Sequence, residues 1–371
     1  MSFLTRISLT LSIYIAWKFI LSFLAVLFGI SILIIIFDML ELLRRSSDIQ
    51  DPNLGFLFFL SLLKLPKTIQ EVLPFAILIG MMFTLFKFSR NSELVVIRSA
   101  GVSVWQFLLP VMGVVIFFGF FNLMVISHFS ASFYKIYENT EEKIFNKKPN
   151  LLNFGKGGLW LKESHQGKDI IIHSHYVKKE DGLLFLSGIS VFEVGGFDKF
   201  VKRYEAEEGH LLDSYVRLER VWESSVGKKP KFHNEFFIPT SITLNYVKDS
   251  FSPPETLSFW QLPKYIDFFE ASGFSSLRHR LYLQSQLASP FFFCSMILLA
   301  SIFFLANNIR LAEWTQRIIA GLGTGFMLYF FAQLTFALGM SSILPVFLSA
   351  WSPTLFATLL GLSYLFHYED G

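Results

Sequence analysis

The feature that most constrains this 371-residue chain is the uneven placement of its charges. Residues 318–366 contain no Asp, Glu, Lys or Arg, whereas residues 135–280 hold 41 of the 61 charged residues, which are 32 basic and 29 acidic. A charge at the centre of a bilayer costs about 2.5–3.5 kcal/mol, so long charge-free runs indicate lipid and the charged middle indicates water. The chain is therefore predicted to be an integral membrane protein with one inserted soluble domain.

Six apolar segments are predicted to cross the membrane, three before the charged middle and three after it. The first, at 19–37, has the length of about 20 residues that a helix needs to span the hydrocarbon core. The second is irregular, because apolar 54–63 precedes 72–86 and Pro74 lies inside; a kinked or partly interfacial pair of helices is predicted there. The remaining four are placed at 104–127, at 281–306, and on either side of a break at 339–345.

The charged middle has the pattern of a β domain. Short runs rich in β-branched and aromatic residues, separated by Gly and charged turns, are predicted to be strands. Strands of this length and spacing suggest a sandwich or a jelly roll. A helix over 258–271, with Ser258 as its cap and Gly273 as its stop, is predicted to lead back to the membrane. The predicted strands are 158–161, 169–177, 183–194, 215–222 and 241–247.

The fold class predicted is an α-helical membrane protein with six transmembrane helices, three plus three, and an inserted all-β, jelly-roll-like domain. The divisions are 1–134 for the first three spans, 135–256 for the β domain, 257–280 for a connecting helix and 281–371 for the last three spans. Basic residues flanking the spans are more numerous on one side, seven against four, which places both termini in the cytoplasm and the β domain outside. The seven are Arg6, Lys18, Lys87, Arg90, Arg98, Arg310 and Arg317, and the four are Arg44, Arg45, Lys64 and Lys67.

Several functional classes find no support in the sequence. The net charge of +3 is small and no nucleic-acid motif occurs. The Gly155–Gly158 run lacks the spacing and the Lys-Ser/Thr pair of a phosphate-binding loop, so the chain is not expected to hydrolyse ATP. His173 and His175 share one face of a strand, but no Cys or acidic residue stands at metal-ligand spacing, and no metal site is predicted. Gly321, Gly323 and Gly325 are interpreted as small residues for helix packing.

Two charged regions are candidate functional sites. Arg44 and Arg45, just past the first span, present guanidinium groups that suit a phosphorylated lipid headgroup, although a solvated pair beside Glu41 and Asp48 is the alternative. Between the second and third spans, residues 90–101 predict a short amphipathic helix, capped by Asn91 or Ser92 and ended by Gly101.

The stretch from Ser92 to Gly101 resembles the cytoplasmic coupling segment of the LptF/LptG permeases, the transmembrane subunits of the lipopolysaccharide-export ABC transporter. The Leu-Pro pairs at 65–66 and 73–74 are similar to that family, as are Gly157 to Trp160, the 257–273 segment and Pro290. Of the two paralogous types, the LptG type is more similar. One difference is the apolar 34–36 run ahead of Asp38, where family members often have a basic residue.

The resemblance implies a non-catalytic subunit of the bacterial inner membrane. Its partners would be an LptF-like paralogous permease, a dimeric LptB-like cytoplasmic ATPase, periplasmic LptC/LptA-like bridge proteins and lipopolysaccharide. The chain would bind no cofactor, because ATP and Mg belong to the partner ATPase. Ser92, Glu93, Arg98 and Gly101 would couple to that ATPase, and Arg44 and Arg45 would contact the lipid phosphates.

Two other functions remain open at this point. A mechanotransmission subunit would use a separate ATPase to move the outer domain without passing lipid. A membrane-embedded enzyme or ion-coupled carrier is less favoured, because such proteins need ionisable residues at membrane depth and these spans contain almost none.

Overall fold

The computed structural model describes residues 9–46, 54–144, 159–165, 168–180, 183–195, 199–212, 215–240, 253–271, 275–304 and 314–369. The chain divides into two compact units. A helical unit is formed by Met1–Tyr137, Ser258–Trp260 and Arg280–Gly371, and a β unit by Glu138–Leu257 and Gln261–His279.

Six described helices are long and apolar enough to cross a membrane, three on each side of the β strands. This confirms the predicted three-plus-three arrangement. In the first half they are α1 (Leu9–Arg45), α2 (Leu54–Arg90) and α4 (Val104–Phe121), the last continuing through a π-helical turn (Asn122–Ile126) into α5 (Ser127–Ile144); the short α3 (Glu93–Ser99) lies between α2 and α4. In the second half they are α7 (Leu277–Phe304), α8 (Trp314–Met340) and α9 (Val346–Glu369).

The second span differs from its prediction. The expected pair of helices is one helix of 37 residues that contains both Pro66 and Pro74. Proline is tolerated inside a spanning helix because neighbouring groups satisfy the backbone carbonyls that it frees. Proline content therefore indicated a break that the helix does not make, and α2 instead supplies most of its buried residues from the part that follows Leu73.

The helices approach one another closely at glycines. A Cβ at Gly80 would lie 2.9 Å from the Cα of Phe23 in α1, and a Cβ at Gly119 would lie 2.8 Å from the Cα of Pro290 in α7. On α8, Gly321 and Gly325 face Met82 and Leu78 of α2, whereas around Gly323 no described atom lies within 4 Å of the Cβ position. The interpretation of the α8 glycines as packing residues is therefore confirmed for two of the three.

Burial divides the spans into two groups. More than half of the apolar window is buried in α2 (61%) and in α7 (56%), against 17% in α1 and 22% in α8. The weakly buried helices expose long apolar faces, as a helix facing lipid or another membrane protein does. On α8 that face carries Phe326, Met327 and Phe330, and on α1 it carries Trp17 and Phe28.

The π-helical turn in the third span receives hydrogen bonds from two other segments. The buried Asn122 accepts one from the Gln70 side chain of α2 at 3.0 Å. From the segment that returns from the β unit, the Trp260 indole donates to the Met124 carbonyl at 3.1 Å, and the Phe259 backbone N–H donates to the Ser127 hydroxyl at 3.3 Å. A π turn frees carbonyls from the regular helical pattern, and here one of them is occupied by a side chain.

The β unit is built on one six-stranded antiparallel sheet in which each strand pairs with the next along the chain. The inserted all-β domain is thus confirmed, but the described strands form a meander and lack the Greek-key order of a jelly roll. The strands are β1 (Leu159–His165), β2 (Lys168–Glu180), β3 (Leu183–Gly195), β4 (Lys199–Leu211), β5 (Tyr215–Ser225) and β6 (Lys231–Pro239).

Two strands, β4 and β6, were not predicted from the sequence, and the strand predicted at 241–247 lies outside the described residues. The connecting helix α6 (Leu262–Ala271) begins four residues later than expected, so Ser258 does not cap it, and Gly273 is also outside the described residues. Phe268 of α6 packs against the buried face of the sheet.

One residue in each of the strands β2 to β6 is left out of the strand pairing, and these residues form a row across the sheet. On β2 and β3 the pairing passes from Ser174–Ile189 to Tyr176–Ser187, and the same skip continues through β4, β5 and β6. Left-handed backbone occurs in this row at Gly188 (φ 63°) and Arg220 (φ 56°). A cleft of about 350 Å³ lies there on the face that carries Trp222 and Phe232.

Glu223 bridges three strands of the β unit. Its carboxylate accepts a hydrogen bond from Lys202 Nζ at 2.9 Å and lies 3.0 Å from His233 Nε2. The bond from Lys202, ahead of that from His233, holds the pKa of Glu223 below its ordinary value, against the opposing effect of burial. The same bond raises the pKa of Lys202.

Glu223→Gln should therefore destabilise the full chain by about 1 kcal/mol at pH 7, where the carboxylate is charged. A carboxyl group with a depressed pKa stabilises the fold above its unfolded pKa of about 4.3 and loses this contribution as the pH falls through the folded value. Thermal melting in detergent at pH 7 and at pH 4 should thus show the difference between wild type and variant shrinking on acidification. Glu205→Gln, in an exposed pair with Arg203, is the control with little effect. An equal difference at both pH values would contradict the prediction.

Candidate functional site

The short helix α3 joins α2 to α4 and has two distinct faces. Leu94 and Ile97 are buried against the helical unit. Val95 and Val96 are 68% and 65% exposed. Two adjacent β-branched apolar side chains left open on a short interhelical segment are typical of a surface that another protein covers.

The C-terminal end of α3 is fixed by Gly101, as predicted. Gly101 has a φ of 80°, in the left-handed region that favours glycine. Its N–H donates to the Arg98 carbonyl at 2.9 Å, and the Val102 N–H donates to the Ile97 carbonyl at 3.4 Å. These are the two bonds of a Schellman motif, which ends a helix and turns the chain. Arg98 is half-buried in the last turn, where a cation suits the helix dipole.

The N-terminal end of α3 differs from the prediction. Ser92 precedes the helix with a φ of 59°, and its side chain makes no capping hydrogen bond. A capping Ser ordinarily has extended backbone, which this left-handed residue lacks. The Asn91 amide instead donates to Glu93 Oε1 at 3.0 Å. The side-chain cap occurs one helix later, where Ser103 and Gln106 form a capping box at the start of α4.

Glu93 is held from within the chain. Its Oε2 accepts a hydrogen bond from the Tyr14 hydroxyl of α1 at 3.0 Å. Lys18 and Lys87 line a small cavity of about 30 Å³ that this carboxylate also borders. Glu93 is therefore placed among basic and polar groups of α1 and α2.

The opposite end of α1 carries Arg44 and Arg45 in its last turn. Arg45 forms an ion pair with Glu41, one turn earlier. This contact corresponds in part to the solvated-pair alternative. Neither arginine lies near α3. Both are in the last turn of α1, whereas α3 contacts Tyr14 near the beginning of that helix.

A second cationic group near that end was assigned to a loop by sequence. Lys64 and Lys67 lie inside α2, and Lys64 Nζ is 2.8 Å from Asp38 Oδ1 of α1. Lys67 pairs with Glu71 at 2.6 Å. On α1, Asp38 lies about 30 Å along the helix from Lys18, which is the thickness of the hydrocarbon core. This spacing of two charged residues can be read from the sequence alone.

Few of the described side chains are placed for metal binding. Among the described residues no cluster of three or more His, Cys, Asp or Glu is placed to hold a metal. The His173 and His175 rings lie 4.7 Å apart, and His175 Nδ1 is 2.8 Å from the Gly188 carbonyl. The Gly155–Gly158 run lies outside the described residues.

The sequence matches the family of lipopolysaccharide export system permeases LptF/LptG over residues 13–367. The chain belongs to the LptF/LptG permease family. Among its curated relatives, the lipopolysaccharide export system permease protein LptG of Escherichia coli (strain K12) is 25% identical over 307 residues, which is 79% of this chain and 81% of the relative. LptG of Haemophilus influenzae is 24% identical over 306 residues, covering 79% and 80%.

The LptF/LptG match extends through all six apolar helices and the β strands between them. It confirms the resemblance drawn from the coupling segment and places the chain among multi-pass inner-membrane permease subunits of lipopolysaccharide export. Both α3 and the Arg44–Arg45 pair lie inside the matched range.

Proposed function

We propose that this chain is a permease subunit that extracts lipopolysaccharide from the inner membrane and passes it to a periplasmic bridge, using the energy of a separate ATPase. The observation that carries the proposal is the family match over residues 13–367. Lipid extraction is steeply unfavourable, because about 0.8 kcal/mol is lost for each CH₂ that leaves the apolar phase. Such a step requires the coupling of an external energy source to the spans.

The helices α1 and α8 form the walls of the lipid cavity in this proposal. They are the least buried of the six spans, and their exposed faces are long and apolar. An LptF-like paralogous permease would complete the cavity, because a single chain leaves these faces exposed. Acyl chains can lie against such faces without the loss of apolar burial that contact with water entails.

Headgroup phosphates are proposed to meet Arg44 and Arg45 of α1 together with Lys64 and Lys67 of α2. All four cations lie in the end of their helices far from α3. Guanidinium groups bind phosphate with paired hydrogen bonds, and lysine ammonium groups act as point charges. Asp38 holds Lys64 at 2.8 Å and sets its position for this contact.

The α3 helix is proposed to dock on a dimeric cytoplasmic ATPase, which uses ATP and Mg. Its docking face is the exposed Val95 and Val96, flanked by Ser92 and Ser99, while Leu94 and Ile97 anchor it to the spans. Arg98 and Gly101 lie at the C-terminal end of the helix, and Glu93 lies at its N-terminal end. In this proposal the amino and carboxyl termini lie in the cytoplasm and the β unit lies in the periplasm, where LptC/LptA-like bridge proteins would receive the lipid.

Val96→Glu should lower the amount of ATPase that copurifies with the chain by about tenfold, because a charge replaces an apolar side chain at the centre of the docking face. The measurement is affinity purification of the tagged chain from membranes and quantification of the ATPase and the paralogous permease. Val226→Glu in the β unit, at an equally exposed valine (73%), is the matched control. Unchanged ATPase recovery with Val96→Glu would remove α3 from the interface.

The function itself is tested by reconstituting the assembled complex in vesicles that contain lipopolysaccharide. We expect lipid to appear on an added soluble bridge protein only when ATP is supplied. ATP hydrolysis without any lipid release would contradict the proposal and favour the mechanotransmission subunit. Protease cleavage of the β unit from the cytoplasmic side would contradict the orientation.

A further inference from the structure

The contact between Tyr14 and Glu93 joins two segments that are 79 positions apart in the chain. Tyr14 lies in the first turns of α1, whereas Glu93 opens α3. The neighbours of α3 along the chain are α2 and α4, so their movement with α3 is assured by the backbone. The helix α1 does not adjoin α3 along the chain. Among the described contacts, the hydroxyl of Tyr14 provides a hydrogen bond between these two helices.

The surroundings of this bond fix both partners. The Tyr14 ring lies edge-on to Phe88 of α2 at 6.0 Å, and Lys18 Nζ is 5.3 Å from its centroid. On the carboxylate, Asn91 occupies Oε1 and Tyr14 occupies Oε2. Besides Glu93, the ionisable groups that line the adjoining cavity are Lys18 and Lys87.

We propose that Tyr14 is a positioning residue for transport, which transmits the movement of α3 to α1 through the Glu93 carboxylate. The proposal rests on the function proposed above and specifies the role of Glu93 within it. Glu93 would act inside the chain, and the ATPase would be bound by the Val95–Val96 face. The α1 helix packs closely on α2 at Phe23 and Gly80, and the Tyr14 hydroxyl gives it a directional bond to α3 as well.

The test is Tyr14→Phe in the full chain, assembled with its partners and reconstituted with lipopolysaccharide. This change keeps the ring contacts and removes only the hydroxyl. We expect the lipid released per ATP hydrolysed to fall about fivefold, as the loss of a hydrogen bond to a charged group permits, with ATPase recovery unchanged. Tyr176→Phe, an exposed tyrosine of the β unit, is the control and should release lipid as wild type does.

A double-mutant cycle separates transmission from a general structural effect. Glu93→Gln still accepts a hydrogen bond through its amide oxygen and should retain more release than Glu93→Ala. If Tyr14 acts through Glu93, adding Tyr14→Phe to Glu93→Ala should lower release no further. Additive losses, or wild-type release by Tyr14→Phe, would overturn the proposal.

The control outcomes also distinguish this proposal from the proposed function. Failure of the wild-type complex to release lipid with ATP would reject the function itself. Normal release by wild type, together with normal release per ATP by Tyr14→Phe, would reject only the Tyr14 link. A fall in ATPase recovery with Glu93→Gln would place Glu93 on the docking face and likewise overturn the proposal.

Discussion

Gly119→Ala should destabilise the helical unit by about 2–3 kcal/mol, as overpacking of a tight contact does. The added Cβ would lie 2.8 Å from both the Cα and the Cβ of Pro290 in α7. Backbone atoms cannot rotate away as a side-chain end does, so α4 and α7 must separate. We expect lower yield and a lower Tm for the full chain in detergent.

Gly113→Ala, on the same helix, is the matched control because no described atom lies within 4 Å of its Cβ position. It should leave Tm unchanged or raise it slightly, since Ala favours helix over Gly. Gly80→Ala belongs with Gly119→Ala, because its Cβ would lie 2.9 Å from the Cα of Phe23. Equal Tm values for Gly119→Ala and Gly113→Ala would show that α4 and α7 do not pack as described.

The spanning helices were predictable because bilayer and water impose opposite requirements on charge. The predicted break at 339–345 agrees within two residues with the observed one, since α8 ends at Met340 and α9 begins at Val346. The continuity of α2 was not predictable, because whether a proline breaks a helix depends on neighbours that compensate for it. Local sequence reports the missing N–H and not the packing around it.

The β strands show a related limit. β2 and β3 contain apolar, β-branched runs, β5 has apolar residues interspersed with charged ones, and the prediction of all three strands is confirmed. In β4 the buried Tyr204 and Ala206 stand among Lys202, Arg203 and Glu205, so the strand has the composition of a loop. A sheet with one solvated face allows this, and only pairing with β3 and β5 identifies the strand.

For the site, sequence located α3 and its end at Gly101, because left-handed backbone has a residue signature. It did not predict the contact between Tyr14 and Glu93 or between Asp38 and Lys64, since each requires knowing which helices are adjacent. The roles of Arg44, Arg45, Ser92, Glu93, Arg98 and Gly101 in transport stay predictions. Charge counting placed Lys64 outside the second span, but Lys64 lies within the 37-residue helix α2.

Lys64→Met should lower both stability and transport. It leaves the carboxylate of Asp38, whose side chain is 12% exposed, without the ammonium group 2.8 Å away. Removing one partner of a partly buried pair costs about 2 kcal/mol, because the remaining charge is no longer compensated. The Tm of the full chain in detergent and the ATP-driven release of lipopolysaccharide should therefore both fall.

The double variant Asp38→Asn with Lys64→Met separates the two effects. Without either charge the buried pair no longer needs compensation, so most of the lost stability should return. Release should stay low, because the cation proposed to meet a lipid phosphate is still missing. Lys67→Met is the stability control, since its partner Glu71 is 53% exposed and such pairs contribute little. Release that recovers together with Tm in the double variant would show that Lys64 serves the fold alone and that the headgroup contacts lie elsewhere.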